Sequence, residues 1–296
     1  MDGVYFWILQ HLVEIRVALP DAPVVATCLQ LAWVALADGV TGGVRMFLPE
    51  RDKLGSETEA DVPPERLDVP VWRYLDFTKF VSMLENGGLF FPTVAKLHDP
   101  FEGSFARGNE ELRRMVYRHV TNPYKVTAGE WVQKLRDHDA VSCWHINERA
   151  SAAMWRLYSK SNEAVCIQSS YRKLNTAVST VAKVGEVRYV DYETSWIPES
   201  NPLAPFIYKR LSFEHEREVR AIIPPKNVHS ILSGSVSPSE EGGQWVPVQL
   251  AELVESVRVS PDAPPWLAAL VRRVVDRYQV NSIPVVPSTL ADAPFY

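Results

Sequence analysis

The sequence predicts an α+β fold: a bent, mainly antiparallel sheet, open to being split, with flanking helices and an N-terminal helical appendage. Three observations predict it. An apolar content of 46% over 296 residues suffices for one large core. Short strand-like and helix-like stretches alternate irregularly, without the even βα rhythm of a doubly wound sheet. A charged, proline-bearing stretch at 50–70 without apolar periodicity separates an apolar prefix, 1–49, from a main domain at 71–296.

The elements follow in order. Val71 to Leu75 reads as a strand, and Phe77, Phe80, Val81 and Leu84 share one face of a helix closed by Gly87 and Gly88. Leu89 to Pro92 is a second strand, and 109–118 a polar helix. Strands follow at Ala140 to Trp144, Ala164 to Gln168 and Glu186 to Tyr192, with a short helix at Ser151 to Ser159 that Ser151 can cap. A helix from Ser200 to Glu216 leads into a strand at Val219 to Ile223. After a Gly/Ser-rich loop at 233–243 come strands at Trp245 to Val248 and Val257 to Val259, a helix at Pro264 to Arg277 and a terminal strand at Ile283 to Val286.

Composition excludes several function classes. A net charge of −5 gives no global basic field for a phosphate backbone, so there is no strong nucleic-acid signal. Cys28, Cys143 and Cys166 form no C-x-x-C pair and cannot all pair internally, which favours a reducing compartment and a cytoplasmic location. Histidine and cysteine are too dispersed for a structural zinc site, so no metal is expected. The P-loop, dinucleotide-binding, zincin and serine-hydrolase motifs are all absent. The prefix has no basic residue before its first apolar run, unlike a signal peptide, and the run 22–37 is too short to span a bilayer. Buried or amphipathic helices are the plain reading of 1–37, and weak interfacial membrane contact the other.

Four clusters can carry chemistry. His98-Asp99-Pro100-Phe101-Glu102 packs two carboxylates and an imidazole into a tight loop, although the same residues can serve only as a turn. In Glu216-Arg217-Glu218-Val219-Arg220, an extended backbone from 216 onward puts Glu216, Glu218 and Arg220 on one face. That is a paired-carboxylate site with an arginine beside it, or else a salt-bridged strand edge. Arg73, next to Trp72 and Tyr74, suits bidentate recognition of phosphate or carboxylate, or packs its stem beside the core. Trp155 and Tyr158 lie three apart on one helical face, as a stacking pair or as core.

Taken in order, W-R-Y at 72–74, Gly87-Gly88-Leu89-Phe90-Phe91, H-D-P-F-E-G at 98–103, V-S-C-W at 141–144, M-W-x-x-Y at 154–158, Tyr189, Lys209 and E-x-E-x-R at 216–220 resemble the bacterial domain-of-unknown-function family DUF2971, over about 72–290. His98 stands where that family usually has asparagine, and Phe213 where tryptophan is common. The order of a basic early strand, a middle aromatic segment and a late strand-borne glutamate is also similar to the layout of ADP-ribosyltransferase-like folds, which bind NAD in the cleft of a split sheet. That likeness implies NAD as a nucleotide-type substrate: Arg73 on its pyrophosphate, Trp155 or Tyr158 stacked on a ring, Glu218 stabilising the oxocarbenium-like state and Glu216 orienting the acceptor. Arg220 would keep both glutamates ionised, and Asp99 and Glu102 would line the opposite wall. Two alternatives stand beside it. One is a non-enzymatic interaction module in stress or phage defence, with a protein partner. The other is a metal-dependent phosphodiester hydrolase using His98, Asp99, Glu102 and Glu218.

Overall fold

A computed structural model of the chain describes residues 66–110 and 128–294, apart from 160, 199–202, 225–227, 279, 281–282 and 293. The expected helical segment 1–49, most of the linker and most of the helix at 109–118 lie outside the described residues. All described residues but Asn109 and Glu110 belong to one compact unit, Ser56–Gly108 with Asn122–Tyr296. No helix among them is long and apolar enough to cross a membrane.

The elements are β1 (Pro70–Asp76), α1 (Phe77–Glu85), β2 (Gly88–Pro92), α2 (Ala128–His138), β3 (Ala140–Ile146), α3 (Ala152–Tyr158), β4 (Ala164–Ser170) and α4 (Tyr171–Val178). They continue with β5 (Lys183–Glu186), β6 (Arg188–Val190), α5 (Ala204–Ile207), β7 (Tyr208–Arg210), a 3-10 turn at Leu211–Glu216, β8 (Glu218–Ile223) and α6 (Val228–Leu232). The last are β9 (Gly243–Pro247), α7 (Leu250–Leu253), β10 (Ser256–Val259), α8 (Pro265–Arg277) and β11 (Val285–Pro287).

The main sheet has seven strands in the order β11-β10-β4-β1-β3-β8-β5, antiparallel except for β10 with β11. Two small sheets stand apart from it, β2 with β9 and β6 with β7. The expected α+β class, with a mainly antiparallel sheet in separate pieces, is what the chain forms.

Register assigns the two faces of the main sheet, because residues directly opposed across antiparallel strands point to the same side. Trp72 opposes His145 and Gln168, His145 opposes Glu218, Cys143 opposes Arg220, and Cys166 opposes both Tyr74 and Arg258. These residues share one face. Val71, Arg73 and Leu75 alternate onto the other, with Trp144, Ile146, Val165, Ile167, Val219 and Ala221. That second face is the main core. Phe80, Met83 and Leu84 of α1, Leu174 and Val178 of α4, and Leu267, Val271 and Val275 of α8 cover it. The α8 residues recur every four positions and so form one stripe, each contributing about 1.5–3 kcal/mol by its burial.

Two expectations are corrected. The single strand at Glu186 to Tyr192 breaks at Val187, whose N–H turns to the carbonyl of Glu218; β5 pairs with β8, and β6 pairs with β7 elsewhere. The helix from Ser200 to Glu216 is α5, then strand β7, then a 3-10 turn, because pairing of 208–210 with β6 overrides local helix preference.

Candidate active site

The ionised groups on the first face gather around Lys209. Its Nζ lies 3.1 Å from Glu102 Oε1, 3.1 Å from Glu218 Oε1, and in contact with Glu216 Oε2. Arg220 closes the ring: Nε donates to Glu218 Oε2 at 2.6 Å, Nη2 lies 2.5 Å from Glu102 Oε2, and Nη1 donates to the carbonyl of Phe206 at 2.8 Å. All five side chains are buried. Three carboxyl groups face two cations, so with all three ionised the cluster carries one negative charge in excess.

Each member arrives by a different local device. Glu102 ends a turn in which Asp99 Oδ1 accepts the N–H of Phe101 and the Asp99 carbonyl accepts that of Glu102. Gly103 makes this turn possible: its φ is +76°, and a Cβ there would lie 2.9 Å from the Phe206 ring. Lys209 is the inward residue of β7, between the half-buried Tyr208 and Arg210. Glu218 and Arg220 point the same way because β8 alternates. Glu216 does not belong to that strand. It closes the 3-10 turn, and Arg217 reverses the backbone in the left-handed region at φ 41°, ψ 58°, the one non-glycine residue with positive φ among those described. The expected shared face of an extended 216–220 is therefore corrected: a left-handed turn brings the Glu216 carboxylate to Lys209, at a backbone cost of about 1–2 kcal/mol.

Neighbouring side chains hold these groups in place. Asp99 holds Arg210 in a fork, Oδ2 to Nε at 3.0 Å and Oδ1 to Nη2 at 2.7 Å. The Arg210 guanidinium is sandwiched between Phe101, 4.4 Å from its ring centroid, and Phe213 at 5.4 Å. The Tyr189 hydroxyl accepts the N–H of Glu218 at 2.8 Å. His145 Nδ1–H donates to the carbonyl of Glu216 at 2.6 Å, which leaves the buried Nε2 with a lone pair and no partner among the described residues.

The neighbours pull the two late glutamates apart. Burial raises Glu216 and so does Glu218 beside it, taking it up to about 7. Burial works the same way on Glu218, but Arg220 and Lys209 overcome it and hold that carboxyl at about 2. Burial works against the Lys209 ammonium, yet Glu218, Glu102 and Glu216 keep it above its ordinary range. Burial lowers His145, which favours the neutral ring, and raises the Cys143 thiol to about 12, far from a nucleophilic thiolate. Burial, then the charges of Glu218 and Glu216, push up the Tyr158 hydroxyl.

Of the residues singled out in the sequence, Glu102, Glu216, Glu218 and Arg220 meet in the cluster. Asp99 and Phe101 build the adjoining Arg210 sandwich, and Tyr158, a residue 40% exposed, lies close enough for the charges of Glu218 and Glu216 to act on its hydroxyl. Trp155 is buried on the same side of the sheet, edge-on to Tyr74 at 5.0 Å, and the Tyr74 hydroxyl accepts the N–H of Ser151. His98 is exposed. Arg73 is not with them. It stands on the opposite, core face, donating to Ser142 Oγ at 2.8 Å and to the carbonyl of Phe90 at 2.9 Å, with burial lowering it to about 10. Lys209, the hub, carries no assigned role in the sequence reading although it stands in the ordered motif set. Arg210 and Phe213 likewise gain a role only from the fold.

No group of three or more histidine, cysteine, aspartate or glutamate side chains placed to hold a metal ion occurs among the described residues. No family model matches the chain, and no curated protein does. A solved structure similar to it is DarT of Thermus sp. 2.9 in complex with carba-NAD+, at 10% identity and a TM-score of 0.34, covering 76% of this chain and 96% of that one.

Proposed function

We propose that the chain is a glycosyl-transferring or glycosyl-hydrolysing enzyme acting on the N-glycosidic bond of a nicotinamide nucleotide of the NAD class. One observation carries this reading: two adjacent carboxyls on a single lysine are tuned in opposite directions, Glu218 down and Glu216 up to about 7. Carboxyl pairs pushed apart by their surroundings are how one site holds both a permanent anion and a proton carrier at neutral pH.

The chemistry then assigns itself. The bond between the ribose anomeric carbon and the pyridinium nitrogen breaks, and its electron pair leaves with nicotinamide, which needs no proton. Positive charge develops on the sugar. The Glu218 carboxylate stabilises it, aided by the excess negative charge of the cluster. Water or an acceptor hydroxyl forms the new bond at the anomeric carbon and gives its proton to Glu216, whose affinity for it matches neutral pH. Lys209 and Arg220 hold both carboxylates in place, and Tyr158 and Phe101 offer exposed rings at the rim for the base or the nicotinamide.

A second reading has its own support. Every carboxylate in the cluster is buried and ion-paired, and such a network can specify a fold without reacting, as in an interaction module. The deciding experiment measures nicotinamide release from NAD by the purified chain, with intact-mass detection of ADP-ribose adducts. Glu218→Gln and Glu216→Gln serve as controls, each shown to be folded by circular dichroism. Release lost in Glu218→Gln supports the enzyme. No release, with no thermal stabilisation by NAD, gives the cluster to the interaction module.

A further inference from the structure

The turn that delivers Glu216 is tied to its surroundings at each residue from 216 to 218. Glu218 donates its N–H to the Tyr189 hydroxyl at 2.8 Å and accepts that of Val187 at 2.9 Å; the Arg217 carbonyl accepts the N–H of Ile146 at 2.8 Å. These bonds suit an ordinary strand end, since Ile146 with Arg217 continues the pairing of His145 with Glu218. Glu216 is different. It lies outside the strand, before the left-handed Arg217, and the donor that the described residues give its carbonyl is a side chain, His145 Nδ1–H at 2.6 Å. The sheet places that ring. His145 opposes Glu218 in β8 and Trp72 in β1, so it stands on the face of the charged cluster, one strand from Glu218. At 3% exposure, with the Tyr74 ring 6.4 Å away, the bond is shielded from water. A carbonyl can only accept, which obliges Nδ1 to carry the proton. Burial keeps the ring neutral.

We propose that His145 is a positioning residue for the reaction: by holding the Glu216 carbonyl it fixes the left-handed turn that carries the Glu216 carboxyl to Lys209. This rests on the reading of Glu216 as the proton acceptor. The hydrogen bond and the cost of the left-handed backbone are comparable in free energy, so loss of the one releases the other. Freed from the turn, the carboxyl leaves Lys209 and Glu218 for water. The burial and the neighbouring Glu218 that raise its proton affinity are lost with the move.

The test follows two signals in the full chain. Carboxyl NMR of 13C-labelled glutamate, with the Glu216 signal identified by its loss in Glu216→Gln, is read against pH beside the pH profile of nicotinamide release. In the parent, Glu216 titrates near 7. His145→Leu, which keeps apolar bulk without a donor, should move that titration toward the ordinary 4.5 and carry the acid limb of release down with it. It should also lower release at pH 8 about 100-fold at unchanged KM. His145→Asn, whose amide reaches the same carbonyl, should restore both signals. A Glu216 titration that stays near 7 in His145→Leu overturns the proposal, and so does an equal shift in both variants. If neither variant folds, the imidazole 15N signals of the parent decide: a protonated Nδ1 beside a bare Nε2 supports the bond, and the opposite tautomer overturns it. A parent that releases no nicotinamide while Glu216 titrates as expected refutes the NAD reading and leaves the placement of Glu216 by His145 standing.

Discussion

The two faces of the seven-stranded sheet are built from the same strands and follow opposite rules. On the core face, Val71, Leu75, Trp144, Ile167 and Val219 meet the apolar stripes of three helices, and the cation beside them, Arg73, is satisfied by a hydroxyl, a carbonyl and the Trp144 ring at 5.8 Å. On the other face, Glu218 and Arg220 stand in the same strand as Val219 and bury just as completely, but only because Lys209 and Glu102 arrive from distant segments. Burial by itself therefore does not distinguish stability from chemistry. What separates the faces is whether a buried group's partners are charged and mutually tuned.

Four measurements test this difference between the faces. Removing one charge from the closed network has the largest effect on stability: Arg220→Met leaves Glu102 and Glu218 short of a partner and costs about 3–5 kcal/mol in urea unfolding. If the variant is as stable as the parent, the network is not what holds β8. Next comes the proposed reaction, in which Glu218→Gln should lower nicotinamide release about 100- to 1,000-fold and Arg73→Met, on the opposite face, should leave it unchanged. Loss of release in Arg73→Met would undo the separation of the faces.

Smaller effects lie in pH. Glu216 binds its proton more tightly in the folded chain, so stability falls as pH rises from its ordinary value of 4.5 through about 7. Glu218 contributes stability that is present above 4.5 and lost as pH falls toward about 2. Melting temperature should therefore pass through a maximum near the ordinary carboxyl value, and Glu216→Gln should lessen the decline on its alkaline side. Asp139 sharpens the same test outside the cluster. Its buried carboxyl oxygens have no partner among the described residues, and burial lifts it to about 8, so stability also falls as pH rises from its ordinary 3.8 to that value. Asp139→Asn should stabilise the chain by a few kcal/mol above pH 8 and hardly at all at pH 3, a difference on the order of the shift itself.

The sheet was legible where pattern and burial coincide. β1, β3, β4, β8 and α8 fall within a residue or two of their expected bounds because their apolar runs face a core. α4 was also readable: Ser170 caps it, and Tyr171, Leu174 and Val178 form its buried face, but it follows β4 without a break and hides in that strand's apolar run. The site was legible as a set of acids. The E-x-E-x-R stretch and the D-P-F-E loop give four of its charged members, and no local pattern says that Lys209 joins them. β7 is three residues long, and its direction is set by pairing with β6, a contact absent from any window of sequence. The Arg217 turn escaped for a related reason, since left-handed backbone is expected of glycine and asparagine rather than arginine.

The span of the Asp99–Arg210 fork has a temporal consequence. Its two residues are 111 positions apart, and Glu102 must wait for Lys209, Glu216, Glu218 and Arg220 in the same way. Closing so long a loop is entropically slow, so this end of the sheet assembles late, after α1 has docked on β1. A ribosome-bound chain that stops before β7 carries Asp99 and Glu102 without their cations. It cannot complete the acid pair until the final third of the polypeptide has emerged.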